Sequence, residues 1–297
     1  MKSQLARSIL VSHLERRGRD EADRVAIHSE PERRSYRFSE LIDRVGAWTG
    51  ILRRAGIGEG QTVALATGNC PAFIELFFAL RLLDAPALLL DEPAASIAPK
   101  MGASWIVQRT AEGAAPEGAP DPALRIRALR PELQVPAGTA LIKLTSGSTL
   151  APRGACFTEE ALVEGIDHIL RGMELTSDDR VLISIPLSHG YGFDNGVLSL
   201  AAGGTPLVLQ PDVLPGAMLR TLREREITFF PAVPAFIRAM GQVAWPPLPS
   251  LRRVISASAP LSREAAEAFA RASGVPVCQF FGSTETGGIS FESRPLE

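Results

Sequence analysis

Short apolar segments alternate with segments of helical periodicity along most of the chain. Residues 62–66, 87–90 and 205–209 have the composition of buried strands, and helices are expected to begin at Pro71 and Pro234. Strands that alternate with helices pair mostly in parallel and are covered by helices on both faces of the sheet. The pattern therefore predicts an α/β fold with mostly parallel sheets.

Composition excludes several classes of protein. The 297 residues are 45% hydrophobic and carry a net charge of -2, with 31 basic and 33 acidic side chains. This balance gives no electrostatic reason to expect nucleic acid or an anionic membrane as a partner. The apolar run 76–90 is broken by Arg81, Asp84 and Pro86, so it is too interrupted to span a bilayer. The three cysteines are scattered, which indicates a reducing compartment, and we expect a cytoplasmic protein.

Helix boundaries and a loop-rich stretch give the expected organisation of the chain. Ser39 and Ser262 are expected to cap helices, and Gly274 is expected to end the second of these. Residues 110–138 are rich in Ala, Pro and Gly and predict a loop with at most one short strand. We therefore place a boundary there, between subdomains 1–139 and 140–297.

The segment 144–154, LTSGSTLAPRG, follows a predicted strand and concentrates hydroxyl groups around Gly147. Backbone N–H and side-chain O–H groups in such a loop can bind an anion, and Arg153 adds a fixed positive charge. The same composition is typical of a surface turn. From these residues alone the two interpretations are equally supported.

Two later loops also follow predicted strands and carry chemically active side chains. PLSHGYG at 186–192 contains His189, and FGSTETGG at 281–288 contains Phe281 and Glu285. In parallel α/β sheets, ligands bind beyond the carboxyl ends of the strands. A hydroxyl cradle, an aromatic face and a carboxylate that can bind Mg²⁺ together suit a nucleoside triphosphate.

These segments resemble the signatures of the acyl-adenylate-forming superfamily. The first loop is similar to its phosphate-binding signature, and FGSTETGG to its adenine- and magnesium-binding signature, with Phe in place of the usual Tyr. PLSHGYG resembles the acyl-site segment of the superfamily. SASAPL at 256–261 resembles the segment that lines the adenine and acyl pockets, and residues 36–69 resemble the N-terminal pattern. The resemblance implies the N-terminal domain of these enzymes, with two packed, mostly parallel sheets flanked by helices.

The resemblance also implies a reaction. ATP and a carboxylic acid would give acyl-AMP and pyrophosphate, and the acyl group would pass to CoA or to the phosphopantetheinyl thiol of a carrier protein. We expect an aryl or fatty acyl substrate, since glycines surround the acyl segment. Asp194 is a candidate anchor for an amino group, but its spacing to Gly204 is too short, so an α-amino acid is not expected.

The matching positions give the expected site residues. Catalytic contacts are expected from His189, Thr284 and Glu285. Mg²⁺ is expected to be bound by Glu285 and Thr149. The acyl substrate is expected to contact His189, Gly190, Tyr191, Ala257 and Gly287. ATP is expected to contact Thr145, Ser146, Gly147, Ser148, Thr149, Arg153, Ser258, Ala259, Pro260, Phe281, Gly282, Ser283 and Thr284.

Plain structural interpretations remain open for three of these residues. Glu285 is also consistent with an ordinary surface carboxylate, and His189 with a loop residue bonded to the backbone. Phe281 is consistent with a core residue, which is compatible with lining a pocket.

The chain departs from the family pattern at three places. Leu150 stands where the family prefers glycine, and its side chain restricts positive φ in the loop. Arg153 replaces the usual lysine, which keeps the charge but changes its geometry. The sequence ends at Glu297, before the small C-terminal domain whose lysine assists adenylation. We therefore expect a truncated chain, or a naturally short one that depends on a partner, with weak turnover. A non-catalytic module that binds nucleotide or acyl groups is the alternative.

Overall fold

A computed structural model describes residues 8–145 and 153–293 of the chain. Its described residues form two compact units. The first contains the residues up to Arg24 together with Arg37–Glu164, and the second contains Val25–Tyr36 together with the residues from Gly165 onward. Each unit is built around one sheet.

Fourteen strands are present in the described ranges. They are β1 (Val25–Ser29), β2 (Arg34–Arg37), β3 (Val63–Ala66), β4 (Ala87–Leu89), β5 (Trp105–Arg109), β6 (Leu124–Ala128), β7 (Leu141–Thr145), β8 (Arg153–Phe157), β9 (Val181–Ile183), β10 (Leu207–Leu209), β11 (Phe229–Ala232), β12 (Arg253–Ser256), β13 (Val277–Ser283) and β14 (Gly287–Phe291).

The described ranges also contain nine α-helical segments. They are α1 (Ile9–Asp20), α2 (Phe38–Arg54), α3 (Pro71–Arg81), α4 (Glu159–Met173), α5 (Gly190–Phe193), α6 (Ser199–Gly203), α7 (Pro215–Glu224), α8 (Pro234–Met240) and α9 (Arg263–Ser273). Short 3-10 helices cover Glu92–Ile97 and Pro99–Met101. Within the residues that the structure describes, no helix combines the length and the apolar character needed to cross a membrane.

The sheet of the first unit has the order β6-β5-β3-β4-β7-β8. Its four central strands are parallel, and the edge strands β6 and β8 pair antiparallel to their neighbours. Strands β7 and β8 follow the expected boundary at residue 139, yet they belong to this sheet because β7 pairs with β4. The compact units therefore divide the chain at a different place from the expected subdomains.

The sheet of the second unit has the order β14-β13-β12-β11-β9-β10-β1-β2. From β1 to β13 the neighbouring strands in this order pair in parallel, and β14 is antiparallel to β13. Leu182, Phe230 and Val254 lie in one core cluster with apolar side chains of α7, α8 and α9. Because β9, β11, β12 and β13 pair in parallel, the carboxyl ends of β9, β12 and β13 lie at the same edge of this sheet. The mostly parallel α/β fold is confirmed.

Several helix boundaries follow local sequence signals. Pro71 begins α3 as predicted, and every residue of this helix is buried. The Ser262 side chain accepts the N–H of Ala265 at the start of α9, and Gly274 ends that helix at φ 75°. The predicted cap at Ser39 is wrong, because α2 begins at Phe38 and its N-cap, two residues earlier, is Arg37, which makes no side-chain hydrogen bond there.

Candidate functional site

The FGSTETGG segment forms two strands and a tight turn rather than the predicted loop. Strand β13 continues through Ser283, and β14 begins at Gly287, which pairs with Ser283 after a register shift between Phe281 and Gly282. The backbone N–H of Thr286 donates to Ser283 Oγ at 3.2 Å and closes the turn. Gly287 has φ 69°, a left-handed conformation that glycine adopts without a steric penalty. Thr284 and Glu285 are therefore held at the tip of a hairpin.

Phe281 and Glu285 are both accessible to solvent. The Phe281 side chain is 63% exposed, so the core interpretation is wrong for this residue. Glu285 is exposed, and within the described ranges it makes no hydrogen bond or ion pair. An exposed aromatic face and an unpaired carboxylate can meet a ligand without first breaking internal contacts. Their roles toward adenine and Mg²⁺ stay predictions.

The PLSHGYG segment turns sharply between β9 and α5. The His189 N–H donates to the Pro186 carbonyl at 3.1 Å, and the His189 carbonyl accepts the N–H of Phe193 at 2.8 Å. A Cβ atom on Gly192 would collide with the Pro186 carbonyl oxygen, so the turn requires glycine there. His189 itself is exposed at the start of the helix. The backbone contacts fix the loop and leave the imidazole at the surface.

Tyr191 connects this loop to two strands of the sheet. Its hydroxyl donates to the Ile255 carbonyl in β12 at 3.2 Å. Its ring stacks on the ring of Phe280 in β13, with 5.8 Å between ring centroids and 17° between planes. Burial raises the pKa of the Tyr191 phenol, so the group stays a hydrogen-bond donor at neutral pH. The structure thus brings the predicted acyl segment to the residue that precedes Phe281.

The SASAPL segment leaves β12 in an unusual conformation. The Ala257 N–H donates to the Ala232 carbonyl at 3.2 Å, and the Ala257 side chain is buried. Ser258 has φ 75°, and Ser258, Ala259 and Pro260 are exposed. A left-handed conformation is strained for serine, and such strain is concentrated at functional sites. The segment therefore presents a fixed, exposed bend at the carboxyl end of β12.

The first loop is described only at its two ends. Thr145 ends β7 and is paired with Arg153, the first residue of β8. Thr145 is partly buried and Arg153 is exposed. Ser146, Gly147, Ser148, Thr149 and Leu150 lie outside the described residues, so the phosphate cradle stays a prediction.

Among the described residues, Glu285 is the predicted magnesium ligand. No group of three or more His, Cys, Asp or Glu side chains lies close enough to hold a metal within the ranges that the structure describes. Mg²⁺ in nucleotide sites is usually held by one or two carboxylates together with phosphate oxygens and water. The exposed Glu285 fits that kind of site.

A comparison with protein families identifies the chain. The model of the family described as "AMP-binding: AMP-binding enzyme" matches residues 84–297. The chain belongs to this AMP-binding family.

Several curated relatives of this AMP-binding chain are named as CoA ligases or CoA synthases. It is 25% identical over 289 residues to 4-coumarate–CoA ligase 3 of Oryza sativa subsp. japonica, covering 86% of this chain and 52% of the relative. It is 28% identical over 273 residues to feruloyl-CoA synthase of an Amycolatopsis species, covering 84% and 54%. The chain thus spans about half the length of these relatives.

Solved structures show the same fold. The inhibitor-bound N-terminal domain of FACL13 from Mycobacterium tuberculosis superposes with a TM-score of 0.81 and 21% sequence identity. The match covers 95% of this AMP-binding chain and 78% of the other. The predicted fold, an adenylate-forming N-terminal domain, is therefore confirmed.

Sequence reasoning overlooked Phe280 in this AMP-binding chain. The motif begins at Phe281, and the preceding residue has no role in it. The signal available in the sequence was the pair of adjacent phenylalanines, because neighbouring residues of a strand point to opposite faces of a sheet.

Proposed function

We propose that this chain binds ATP and a carboxylic acid and takes part in forming acyl-AMP. A carboxylate oxygen attacks the α-phosphorus in line, a new P–O bond forms, and the bond to pyrophosphate breaks. The acyl group then passes to the thiol of CoA or of a carrier protein, so that a thioester bond forms, the bond between the acyl carbon and the phosphate oxygen breaks, and AMP and a proton are released. The protein contributes mainly by positioning the reactants and by neutralising charge.

The contact between Tyr191 and Phe280 is the observation that carries this proposal. It joins the loop after β9 to the strand that bears Phe281, at the carboxyl edge of a parallel sheet. Ligands in open α/β sheets bind at this edge. The family match supports nucleotide binding, and the names of the two relatives support an aryl acid as substrate.

Each proposed role follows from the chemistry of an accessible group. The exposed Phe281 ring stacks on adenine, and the Thr284 hydroxyl donates to an α-phosphate oxygen. His189 lies beside the carboxylate of the acid. Arg153 and the hydroxyls of the first loop bind the β- and γ-phosphates.

Glu285 is proposed to hold Mg²⁺ together with the phosphates. When bound, the ion neutralises negative charge on the phosphate oxygens. The exposed Glu285 carboxylate at the hairpin tip would hold that ion beside the phosphates. Thr149, the second proposed ligand, comes from the first loop.

A reducing compartment, such as the cytoplasm, is part of the proposal. Cys70, Cys156 and Cys278 are all free thiols in the described residues. Free thiols persist where glutathione and thioredoxin keep proteins reduced.

Calorimetry with AMP, and with ATP and Mg²⁺, tests nucleotide binding. Base stacking contributes about 1–3 kcal/mol, so Phe281→Ala is expected to weaken AMP binding by about 5- to 150-fold. Phe281→Tyr is expected to retain it. Phe236→Ala, in α8, is the matched control and is expected to bind AMP as the wild type does. Absence of AMP binding by the wild-type chain would contradict the proposal.

The Glu285→Ala variant separates the metal role from nucleotide binding. We expect weaker binding of ATP in the presence of Mg²⁺ and unchanged binding of AMP without metal. Glu224→Ala, at the exposed end of α7, is the control carboxylate. Equal responses of the two variants would refute the role of Glu285.

Carboxylate-dependent exchange of pyrophosphate into ATP tests the chemical step. We expect slow exchange by this chain. AMP binding without any exchange would favour the alternative, a nucleotide- or acyl-binding module that depends on a partner.

A further inference from the structure

The segment that adds β1 and β2 to the sheet of the second unit, Val25–Tyr36, carries a buried histidine. His28 lies within β1, is 8% exposed, and is in register with Val208 of the parallel strand β10. The strands β1 and β2 are the last two at one end of the sheet. Elements with fewer packed neighbours open locally at a lower free-energy cost, so side-chain contacts matter for the attachment of this β1–β2 segment.

Two polar side chains flank the His28 imidazole. Its Nδ1 lies 2.8 Å from Ser35 Oγ in β2, and its Nε2 lies 3.4 Å from Glu30 Oε1 in the turn between the strands. The same Glu30 oxygen accepts a hydrogen bond of 2.5 Å from Nε of Arg225, the C-cap of α7. One carboxylate oxygen therefore faces both the histidine and the arginine, and it joins the β1–β2 segment to the end of α7.

The charges around His28 decide which protonation state the folded chain prefers. Among the described residues, Arg225 and Glu30 are the charged groups that act on the imidazole, since its neighbours Ser35 in β2 and Val208 in β10 are neutral. Burial and the Arg225 cation lower the pKa of His28, and the attraction of Glu30 offsets only part of this effect. The neutral imidazole is therefore favoured while the Glu30–Arg225 ion pair is in place.

We propose that His28, Glu30 and Arg225 form an acid-sensitive latch that holds the β1–β2 segment on the sheet. At neutral pH the Glu30 carboxylate is bonded to Arg225. A protonated His28 donates from both ring nitrogens and competes for the same oxygen, while its charge repels Arg225. Opening of the segment returns the imidazolium to water, so acid favours the open form and leaves β10 as the edge of the sheet.

The direction of the change with pH follows from the lowered pKa of His28. Such a histidine contributes stability above its unfolded-state pKa of about 6.5, and this contribution is lost as the pH falls through the folded-state value. We expect the protection of β1 amides against hydrogen exchange, corrected for intrinsic rates, to fall at least about threefold between about pH 7.5 and about pH 5.5. Amides of Phe230 and Val254, in the central strands β11 and β12, are expected to keep their protection.

Titration of the imidazole by NMR tests the electrostatic part of the latch. The His28 midpoint in the wild type is expected below about 6.5. Arg225→Gln removes the repelling cation and is expected to raise the midpoint, whereas Glu30→Gln removes the attracting carboxylate and is expected to lower it. A general loosening of the segment would instead move both midpoints toward about 6.5, so opposite shifts distinguish the latch from structural damage.

Two histidine variants test the link between titration and opening. His28→Gln keeps a hydrogen-bonding side chain without a titrating ring, and it is expected to remove the pH dependence of β1 protection. His168→Gln changes an exposed histidine of α4 and is the matched control, which is expected to behave as the wild type does. A wild-type His28 midpoint at or above about 6.5, shifts of the same direction in Arg225→Gln and Glu30→Gln, or β1 protection that is constant with pH would overturn the inference.

Discussion

At the scale of single residues, Glu75 shows how a buried charge is accommodated. Its side chain is completely buried in α3 and accepts hydrogen bonds from Arg44 Nε at 2.6 Å and Trp48 Nε1 at 2.9 Å. Both donors lie in α2, so the carboxylate joins two helices of the first unit. A buried charge is tolerated when its partners satisfy it, and removal of one partner leaves the others unsatisfied.

Glu75→Ala is expected to destabilise the chain by about 3 kcal/mol or more, because it leaves the Trp48 N–H without its acceptor and removes the carboxylate that neutralises the partly buried Arg44 cation. Urea unfolding followed by tryptophan fluorescence measures the effect. Glu59→Ala, which removes an exposed carboxylate in the same unit, is expected to change the free energy of unfolding by less than about 0.5 kcal/mol. Similar effects of the two variants would contradict the role given to Glu75.

At the scale of elements, the two predicted serine caps had different outcomes. Ser262 precedes α9, and its hydroxyl accepts the Ala265 N–H at 3.3 Å. Ser39 lies inside α2, whose first residue, Phe38, donates its N–H to the Arg24 carbonyl. Phe38 is fully buried, so tertiary packing extended the helix past the residue that best matches a cap.

Ser262→Ala is expected to lower the free energy of unfolding by about 1 kcal/mol, since it removes the acceptor of an otherwise unpaired helix N–H. Ser39→Ala makes the same chemical change inside a helix and is expected to be within about 0.5 kcal/mol of the wild type. Thermal and urea denaturation of the two variants compare them directly. A larger loss for Ser39→Ala would show that the caps are wrongly assigned.

The elements that sequence patterns overlooked include two exposed edge strands. β8 and β14 are mostly exposed, and their residues show no buried apolar run. Each pairs antiparallel with the strand just before it, so hydrogen bonding to a preformed edge defines it rather than its own hydrophobicity. The buried parallel strands β3, β4 and β10, by contrast, were recognisable from their apolar composition.

At the scale of the whole molecule, Asp179 links chain segments that are far apart in sequence. Its carboxylate accepts hydrogen bonds from the Thr176 N–H, the Thr228 hydroxyl and the Arg252 guanidinium. Burial raises the pKa of Asp179, but the hydrogen bonds from Arg252, Thr228 and Thr176 and the charge of Arg252 outweigh it, so the pKa lies below its usual value. The ionised form is therefore favoured by folding.

A lowered pKa in the folded state contributes stability above the unfolded-state pKa of about 4, and this contribution is lost as the pH falls through the folded-state value. Asp179→Asn is expected to destabilise the chain at about pH 6. The difference from the wild type is expected to shrink toward about pH 3. Urea unfolding over this range measures both chains. A difference that stays constant with pH would contradict the linkage.

The sequence by itself determined the alternation of strands and helices and the order of the chemically active segments. Buried parallel strands need apolar runs, and turns need particular residues such as Gly192, so both are visible locally. Only the tertiary structure decided that Phe280 faces Tyr191 while Phe281 faces solvent. That choice depends on which side of β13 is covered by other elements, and a pair of identical neighbouring residues carries no information about it.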